Sequence, residues 1–157
     1  MADLWTAFEP TPLPSAGTVS LFVPCIPVPQ PRQRQRIMVG KKGNAFAMNY
    51  TPRNDPVNDF KAQVRFAVQA QWQGGPWDCP VSLVAVFVFP RPKSLKGNCR
   101  KWHIKRPDAD NVLKALKDSL KGMAWLDDSQ VCEVCVRKWY AAAGEQPGVD
   151  LTIRRLS

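Results

Sequence analysis

The sequence predicts a single α+β domain in which a mixed β-sheet is combined with two main helices. Two segments carry apolar residues at helical spacing, and several others alternate or are rich enough in β-branched residues to form strands. These segments follow one another as strand, hairpin, helix, strand, helix, strand, strand, an order typical of an α+β domain. At 157 residues the chain has the size of one domain with a substantial core.

The first third of the chain is predicted to hold a loose tail, a strand and a hairpin. Residues 1–17 are rich in Pro, Ala, Ser and Thr and predict a tail that precedes a domain of residues 18–157. The stretch TVSLFVPCIP (18–27) predicts a strand that its prolines end. In the basic segment that follows, IMV and AFAMNY flank GKKG, which predicts a hairpin with Lys41 and Lys42 at its tip.

The remaining elements are predicted from apolar periodicity. Helical spacing over 55–72 predicts a first helix, and the β-branched and aromatic run 79–90 predicts a central strand covered on both faces. A polar basic loop is expected at 91–106. A second helix is predicted from Asp110 to Lys121, ended by Gly122, and strands are predicted at 130–142 and 148–156.

Composition indicates a partner and a location. A formal net charge of +9 favours a polyanionic partner, with nucleic acid ahead of an anionic membrane surface. No apolar run approaches the roughly 20 residues of a membrane helix, and no export signal opens the chain, so a cytoplasmic location is expected. Five scattered cysteines are typical of reduced thiols, and the single C-x-x-C lies on a predicted strand that is poorly suited to zinc.

A group of acidic residues stands out in this basic chain. The stretch RPDADNVLKALKDSLKGMAWLDDSQV (106–131) contains five of the thirteen carboxylates: Asp108, Asp110, Asp118, Asp127 and Asp128. If three or four of them converge, they form an oxygen-rich site for Mg²⁺ or Mn²⁺, which could support phosphodiester hydrolysis. Convergence would require the loop after the second helix to return to the start of that helix, with help from the following strand or a dimer partner.

Each acidic residue also has a simpler interpretation. Asp108 or Asp110 could cap the helix, Lys114 could bridge to Asp110 or Asp118, and Asp127–Asp128 could be a solvated turn. Asp118 is interpreted as a surface or bridging residue. Trp125 is expected to anchor the loop that carries Asp127 and Asp128.

The same stretch resembles the signature of the RusA family of Holliday junction resolvases, which are typically encoded by phages and prophages. That signature joins a D-x-D-N-x-x-K helix entrance to a W-x-D-D-x-Q-V segment, and both halves occur here in order. The likeness extends over roughly residues 18–156. It implies a homodimeric, Mg²⁺-dependent endonuclease, with Mn²⁺ as a substitute, that nicks two opposing strands of a four-way DNA junction. No membrane partner or small-molecule cofactor is expected.

The resemblance also implies roles for individual residues. Asp108, Asp110 and Asp128 would bind the metal, and Lys114 would be the lysine of the catalytic site; between Asp127 and Asp128, we favour Asp128. From their charge and position, backbone contacts to DNA are predicted for Arg32, Arg34, Arg36, Lys41, Lys42, Lys101, Lys105 and Arg106. His103, the one histidine, is not expected to act in catalysis.

Two other functions remain open at the level of sequence. A non-catalytic DNA- or RNA-binding protein would use the aspartates only as caps and turns. A metal-dependent nuclease for other branched nucleic acids, such as flaps or forks, would use the same carboxylates.

Overall fold

The computed structural model describes residues 17–31 and 34–156, although not the side chain of Arg34. The predicted tail at 1–17 therefore lies outside the described residues, except for Gly17. None of the helices in these two ranges is both long and apolar enough to span a membrane. The described elements are β1 (Thr18–Pro24), β2 (Arg34–Val39), β3 (Ala45–Tyr50), α1 (Pro56–Gln71), β4 (Val81–Phe89), β5 (Lys101–Trp102), α2 (Ala109–Leu120), β6 (Val131–Tyr140) and β7 (Gly148–Arg155).

Five of these strands form one mixed sheet in the order β1-β7-β4-β6-β5. β4 and β6 run parallel, whereas β1 with β7, β4 with β7, and β5 with β6 are antiparallel. The parallel pair is joined through α2, which provides the long crossover that parallel strands require. The predicted α+β class, with a mixed sheet and two helices, is confirmed.

Both helices pack on the same face of this sheet. Their apolar stripes, which include Phe60 in α1 and Leu116 in α2, join one core cluster with Leu83, Ala85 and Phe87 of β4. The prediction that β4 is central is confirmed, but its second face is covered only at its two ends, where Ser82 and Val88 are buried. Val84 and Val86 point to the opposite face and are only half-buried, because neither helix lies there. An unbroken apolar run does not distinguish one covered face from two.

Local chemistry fixes the two helices. The side chain of Asp55 caps α1 by accepting a hydrogen bond from the backbone N–H of Val57 at 3.1 Å, and Pro56 occupies the first turn. The helices are joined by a Lys61–Asp118 ion pair at 3.1 Å and by Arg65 Nε, which donates to the carbonyl of Ser119 at 2.8 Å. These contacts fix the second half of α2 against α1.

The basic segment 91–106 was predicted as a loop, but it contains the short strand β5. Lys101 and Trp102 pair with Tyr140 and Trp139, and the two tryptophan rings stack with centroids 3.5 Å apart. Two of the segment's arginines are structural. Arg91 donates to five backbone carbonyls, among them those of Cys99 and Ala141, and Arg100 forms a two-point ion pair with Glu145.

Candidate active site

Two of the acidic side chains lie at the start of α2 without partners among the described residues. Asp108 occupies the N-cap position, yet its side chain makes no capping hydrogen bond. The carboxylates of Asp108 and Asp110 are both exposed, and neither has a hydrogen-bond or ion-pair partner within the described ranges. Lys114, one turn further along, is also exposed and forms no ion pair there. The capping and bridging interpretations therefore do not account for these three residues.

The other two acids lie beyond the end of α2 and differ from each other. Asp127 begins a 3-10 turn (Asp128–Gln130), where it accepts from the backbone N–H of Ser129 at 3.0 Å and pairs with Lys121 at 2.6 Å. The hydrogen bond from Lys121 and the Ser129 N–H lower the pKa of Asp127 well below its ordinary range. Its oxygens are thus engaged in local structure, which favours Asp128 over Asp127 as a metal ligand.

Asp128 is positioned by Trp125. The indole Nε1 of Trp125, whose side chain is fully buried, donates to Asp128 Oδ1 at 2.9 Å. The second oxygen of Asp128 has no hydrogen-bond partner among the described residues. The expectation that Trp125 anchors this loop agrees with that hydrogen bond.

The two acidic ends are far apart within one chain. Asp110 begins α2 and Lys121, the partner of Asp127, ends it, so the two ends are separated by about 16 Å of helix. Within residues 17–31 and 34–156, no three His, Cys, Asp or Glu side chains are close enough together to hold a metal ion. The pair Asp108–Asp110 fits a Mg²⁺ ion that keeps several waters. One described chain does not bring the third carboxylate, that of Asp128, to this pair.

Lys138, which was not predicted to be functional, hydrogen-bonds to the backbone just before α2. Lys138 of β6 directs its ammonium to the backbone carbonyl of Pro107 and to that of Lys105 at 3.0 Å. Pro107 directly precedes Asp108, so Lys138 fixes the backbone that presents both free carboxylates. The sequence does contain a signal for this role. Lys138 lies two residues from both Val136 and Tyr140 on a strand, so it shares their inward-facing side of the sheet.

His103 lies beside Lys138 and is buried, unlike the exposed carboxylates of Asp108 and Asp110. Its ring stacks on Phe89, with centroids 4.1 Å apart, and is only 7% exposed. Nδ1 lies 3.5 Å from the ammonium of Lys138. Burial, followed by the charge of Lys138, lowers the pKa of His103, which favours a neutral ring that accepts from Lys138. This supports the expectation that His103 has no catalytic role.

The lowered pKa of His103 predicts a pH dependence of stability. The unfolded chain takes up this proton near the ordinary pKa of 6.5, whereas the folded chain takes it up only at lower pH. The free energy of unfolding should therefore fall as the pH is lowered through that window. Three carboxylates also have lowered pKa values, but their ordinary values are 3.8 to 4.5, so they affect stability at lower pH than His103 does; they are Asp127, Glu133 and Glu145. Urea unfolding of wild type and His103→Phe between about pH 7 and pH 5 should show the slope only in wild type; equal slopes would contradict this.

Six of the eight residues predicted to contact DNA have described side chains, and these fall into two exposed groups. Arg32 lies outside the described residues, and the side chain of Arg34 is not described. Arg36, Lys41 and Lys42 are exposed on the β2–β3 hairpin, which forms a two-stranded sheet of its own. The second group is exposed on the segment that leads into Asp108 and consists of Lys101, Lys105 and Arg106.

One face of the hairpin combines basic and apolar groups. Arg36 lies opposite Met48, and Met38 lies opposite Phe46 on the same face. Phe46 is 53% exposed although it is aromatic. An isolated two-stranded hairpin with exposed apolar side chains is marginally stable in water, which favours a hairpin that contacts a partner.

Comparison with known proteins identifies the family. The family model described as Endodeoxyribonuclease RusA matches residues 24–154, which is most of the chain. The chain belongs to the RusA family. The uncharacterized protein YqaN of Bacillus subtilis (strain 168) is 34% identical to it over 87 residues, covering 50% of this chain and 59% of YqaN. The RusA match includes both acidic ends of α2, the hairpin and Lys138, so the sequence resemblance to this family is confirmed.

Proposed function

We propose that this protein is an endodeoxyribonuclease that resolves four-way DNA junctions by paired, symmetric, metal-dependent nicks. The observation that carries the proposal is the RusA family match over residues 24–154. It is supported by the two carboxylates at the start of α2, which have no partner in the described part of the chain, and by the exposed basic residues of the adjoining segment. A protein with this activity would act on DNA in the cytoplasm of a bacterium or a phage-infected cell.

In this proposal the metal ligands are Asp108, Asp110 and Asp128. A bound Mg²⁺, or Mn²⁺ in its place, would supply Lewis acidity and lower the pKa of a coordinated water. Lys114 would neutralise charge on the scissile phosphate from one turn along the same helix. Lys101, Lys105 and Arg106 would bring the DNA backbone to this end of α2.

The proposal is tested with a labelled synthetic four-way junction and a linear duplex of matching sequence, each with and without Mg²⁺. We expect paired nicks on the junction, no cutting of the duplex and no cutting without metal. Junction binding without cleavage under any condition would favour a non-catalytic nucleic-acid-binding protein. Equal cutting of flaps, forks and junctions would instead indicate a nuclease of broader structural preference.

The hairpin is predicted to set the salt dependence of binding. Each lost phosphate contact should reduce the slope of log K against log salt by about 0.9, so replacing Arg36, Lys41 and Lys42 with alanine should reduce it by up to about 3. Fluorescence anisotropy at several salt concentrations measures the slope. All three side chains are exposed, so the thermal midpoint of the variant should match that of wild type. An unchanged slope would show that these three side chains do not contact the DNA backbone.

A further inference from the structure

The β2–β3 hairpin carries exposed apolar side chains on both of its faces. Met38 and Phe46 lie opposite each other on one face and are 36% and 53% exposed. Ile37 and Val39 point to the other face and are 74% and 70% exposed. None of these four side chains belongs to the core cluster of the described residues. Packing within one described chain therefore does not account for them.

Exposure on both faces restricts the kind of partner that would cover this hairpin. An element that packs on a flat surface covers one of its faces and leaves the other in water. Among the described residues no third strand pairs with β2 or β3, so the main sheet does not extend over the hairpin. Both apolar faces would be covered together if the hairpin entered a narrow space between two surfaces.

The end of the hairpin is held in a tight turn. In this turn, residues 40–44, the N–H of Gly40 donates to the carbonyl of Asn44, and the N–H of Gly43 donates to the carbonyl of Gly40, each at 2.9 Å. Gly43 has a φ of +79°, which glycine adopts without the strain that a side chain would cause. A Cβ at Gly40 would lie 3.7 Å from Phe46 Cε1, so the Phe46 ring lies directly beside the turn.

The charges around these apolar side chains favour DNA as the partner. Lys41 and Lys42 are exposed in the turn, and Arg36 is exposed on the face that carries Met38 and Phe46. The chain has a net charge of +9, so a second copy would repel this turn, whereas DNA phosphates would attract it. The six-residue strands extend for about 20 Å, more than twice the depth of the DNA major groove, so the turn can reach the base pairs.

The apolar side chains favour a branch point over an intact groove. Base edges in a groove are read mainly through hydrogen bonds, which the side chains of Val39 and Phe46 cannot make. Apolar and aromatic side chains instead insert between base pairs and replace their stacking. In a continuous duplex this insertion must first separate two stacked base pairs. At a branch point the stacking is already interrupted, so insertion there costs less.

We propose that the end of the β2–β3 hairpin inserts into the branch point of the DNA and that Met38 and Phe46 stack on the base pairs that border it. Arg36, Lys41 and Lys42 would contact phosphates of the flanking strands. Because insertion costs less at a branch than in a continuous duplex, it would make binding selective for branched DNA. This inference rests on the proposed function, since it concerns how the same nuclease recognises its substrate.

The double substitution Met38→Thr and Phe46→Thr tests the insertion, because threonine removes the apolar groups but favours a strand. In EDTA, affinity for a four-way junction should fall about ten- to a hundredfold, whereas affinity for a linear duplex should not change. Aminopurine, a fluorescent adenine analogue, should brighten at the branch point when wild type binds and unstacks it, but not when the variant binds. Phe66→Thr is the control, because Phe66 is 79% exposed on α1, outside the hairpin, and this variant should behave as wild type.

Further variants separate the loss of insertion from the loss of hairpin structure. A folded hairpin keeps its three basic side chains at the DNA backbone, so the salt slope of the double variant should equal that of wild type. Replacing those three residues with alanine should do the converse, with a lower slope and junction and duplex affinities that fall together. Two single substitutions keep an apolar residue in the strand. Phe46→Tyr retains the ring and should keep the junction preference, whereas Phe46→Val should lose most of it.

Three results would overturn the insertion. Equal losses of junction and duplex affinity in the double variant would show that the hairpin binds any duplex groove. A change of mass by light scattering with an unchanged junction preference would show that the hairpin contacts a second copy of the chain. An unchanged preference and aminopurine signal would show that these side chains do not reach the branch. Metal-dependent cutting of junctions by wild type would still support the proposed function in each case, whereas a wild type that never cuts would overturn that function and leave a lost preference in the variant as evidence for insertion.

Discussion

Asp110→Asn is expected to reduce junction cleavage by about a hundred- to a thousandfold while leaving junction binding intact. The carboxylate of Asp110 is exposed and has no partner in the described structure, so its loss should not disturb folding. The substitution also removes a negative charge from the surface proposed to face phosphate. Binding measured in EDTA should therefore be equal to or tighter than that of wild type.

Asp118→Asn is the control for this experiment, because Asp118 lies two turns further along the same helix. Its carboxylate pairs with Lys61 at 3.1 Å, and loss of that partly exposed ion pair should cost at most about 1 kcal/mol of stability. Cleavage should match wild type. Single-turnover cleavage with saturating protein measures both variants, and anisotropy in EDTA measures binding. Similar cleavage by Asp110→Asn and wild type would show that the start of α2 is not the active site.

The acidic residues show how far sequence reasoning reaches in this protein. The pattern located α2 to within a residue at each end and placed acids at both ends. It could not decide whether Asp108 caps the helix or whether Lys114 bridges to a neighbour, because those outcomes depend on side-chain direction. The structure answers both questions, since Asp108 makes no capping bond and Asp118 pairs with Lys61 of another helix.

Other features depend on contacts between distant segments. β5 has only two residues, and it forms because Lys101 and Trp102 meet the end of β6. The partial exposure of Val84 and Val86 on the second face of the sheet likewise follows from both helices packing on one side, which the apolar run of β4 does not reveal. The distance between Asp110 and Asp128 is implicit in the sequence, because a straight helix separates them.

Lys138→Met is predicted to weaken metal binding and to reduce cleavage by about ten- to a hundredfold, as loss of groups that orient metal ligands generally does. The ammonium of Lys138 holds the carbonyls of Lys105 and Pro107, which directly precede Asp108. Methionine has a similar length and can fill the same space, but it cannot donate to either carbonyl. The backbone that presents Asp108 and Asp110 should then sample several positions.

Lys105→Met provides the matched control, because Lys105 enters this network through its backbone carbonyl and its side chain is exposed. This substitution also removes one positive charge near Asp108, but it keeps the hydrogen bonds from Lys138 to the two backbone carbonyls. The Mn²⁺ affinity of this variant should therefore match wild type, although its DNA affinity should fall. Lys138→Met should show the opposite split, with weaker Mn²⁺ binding by EPR and little change in junction binding in EDTA.

Removing the charge of Lys138 should also raise the pKa of His103 towards its ordinary value, which NMR titration of this single histidine can follow. A raised His103 pKa with unchanged Mn²⁺ affinity would show that Lys138 supports the fold without positioning the carboxylates.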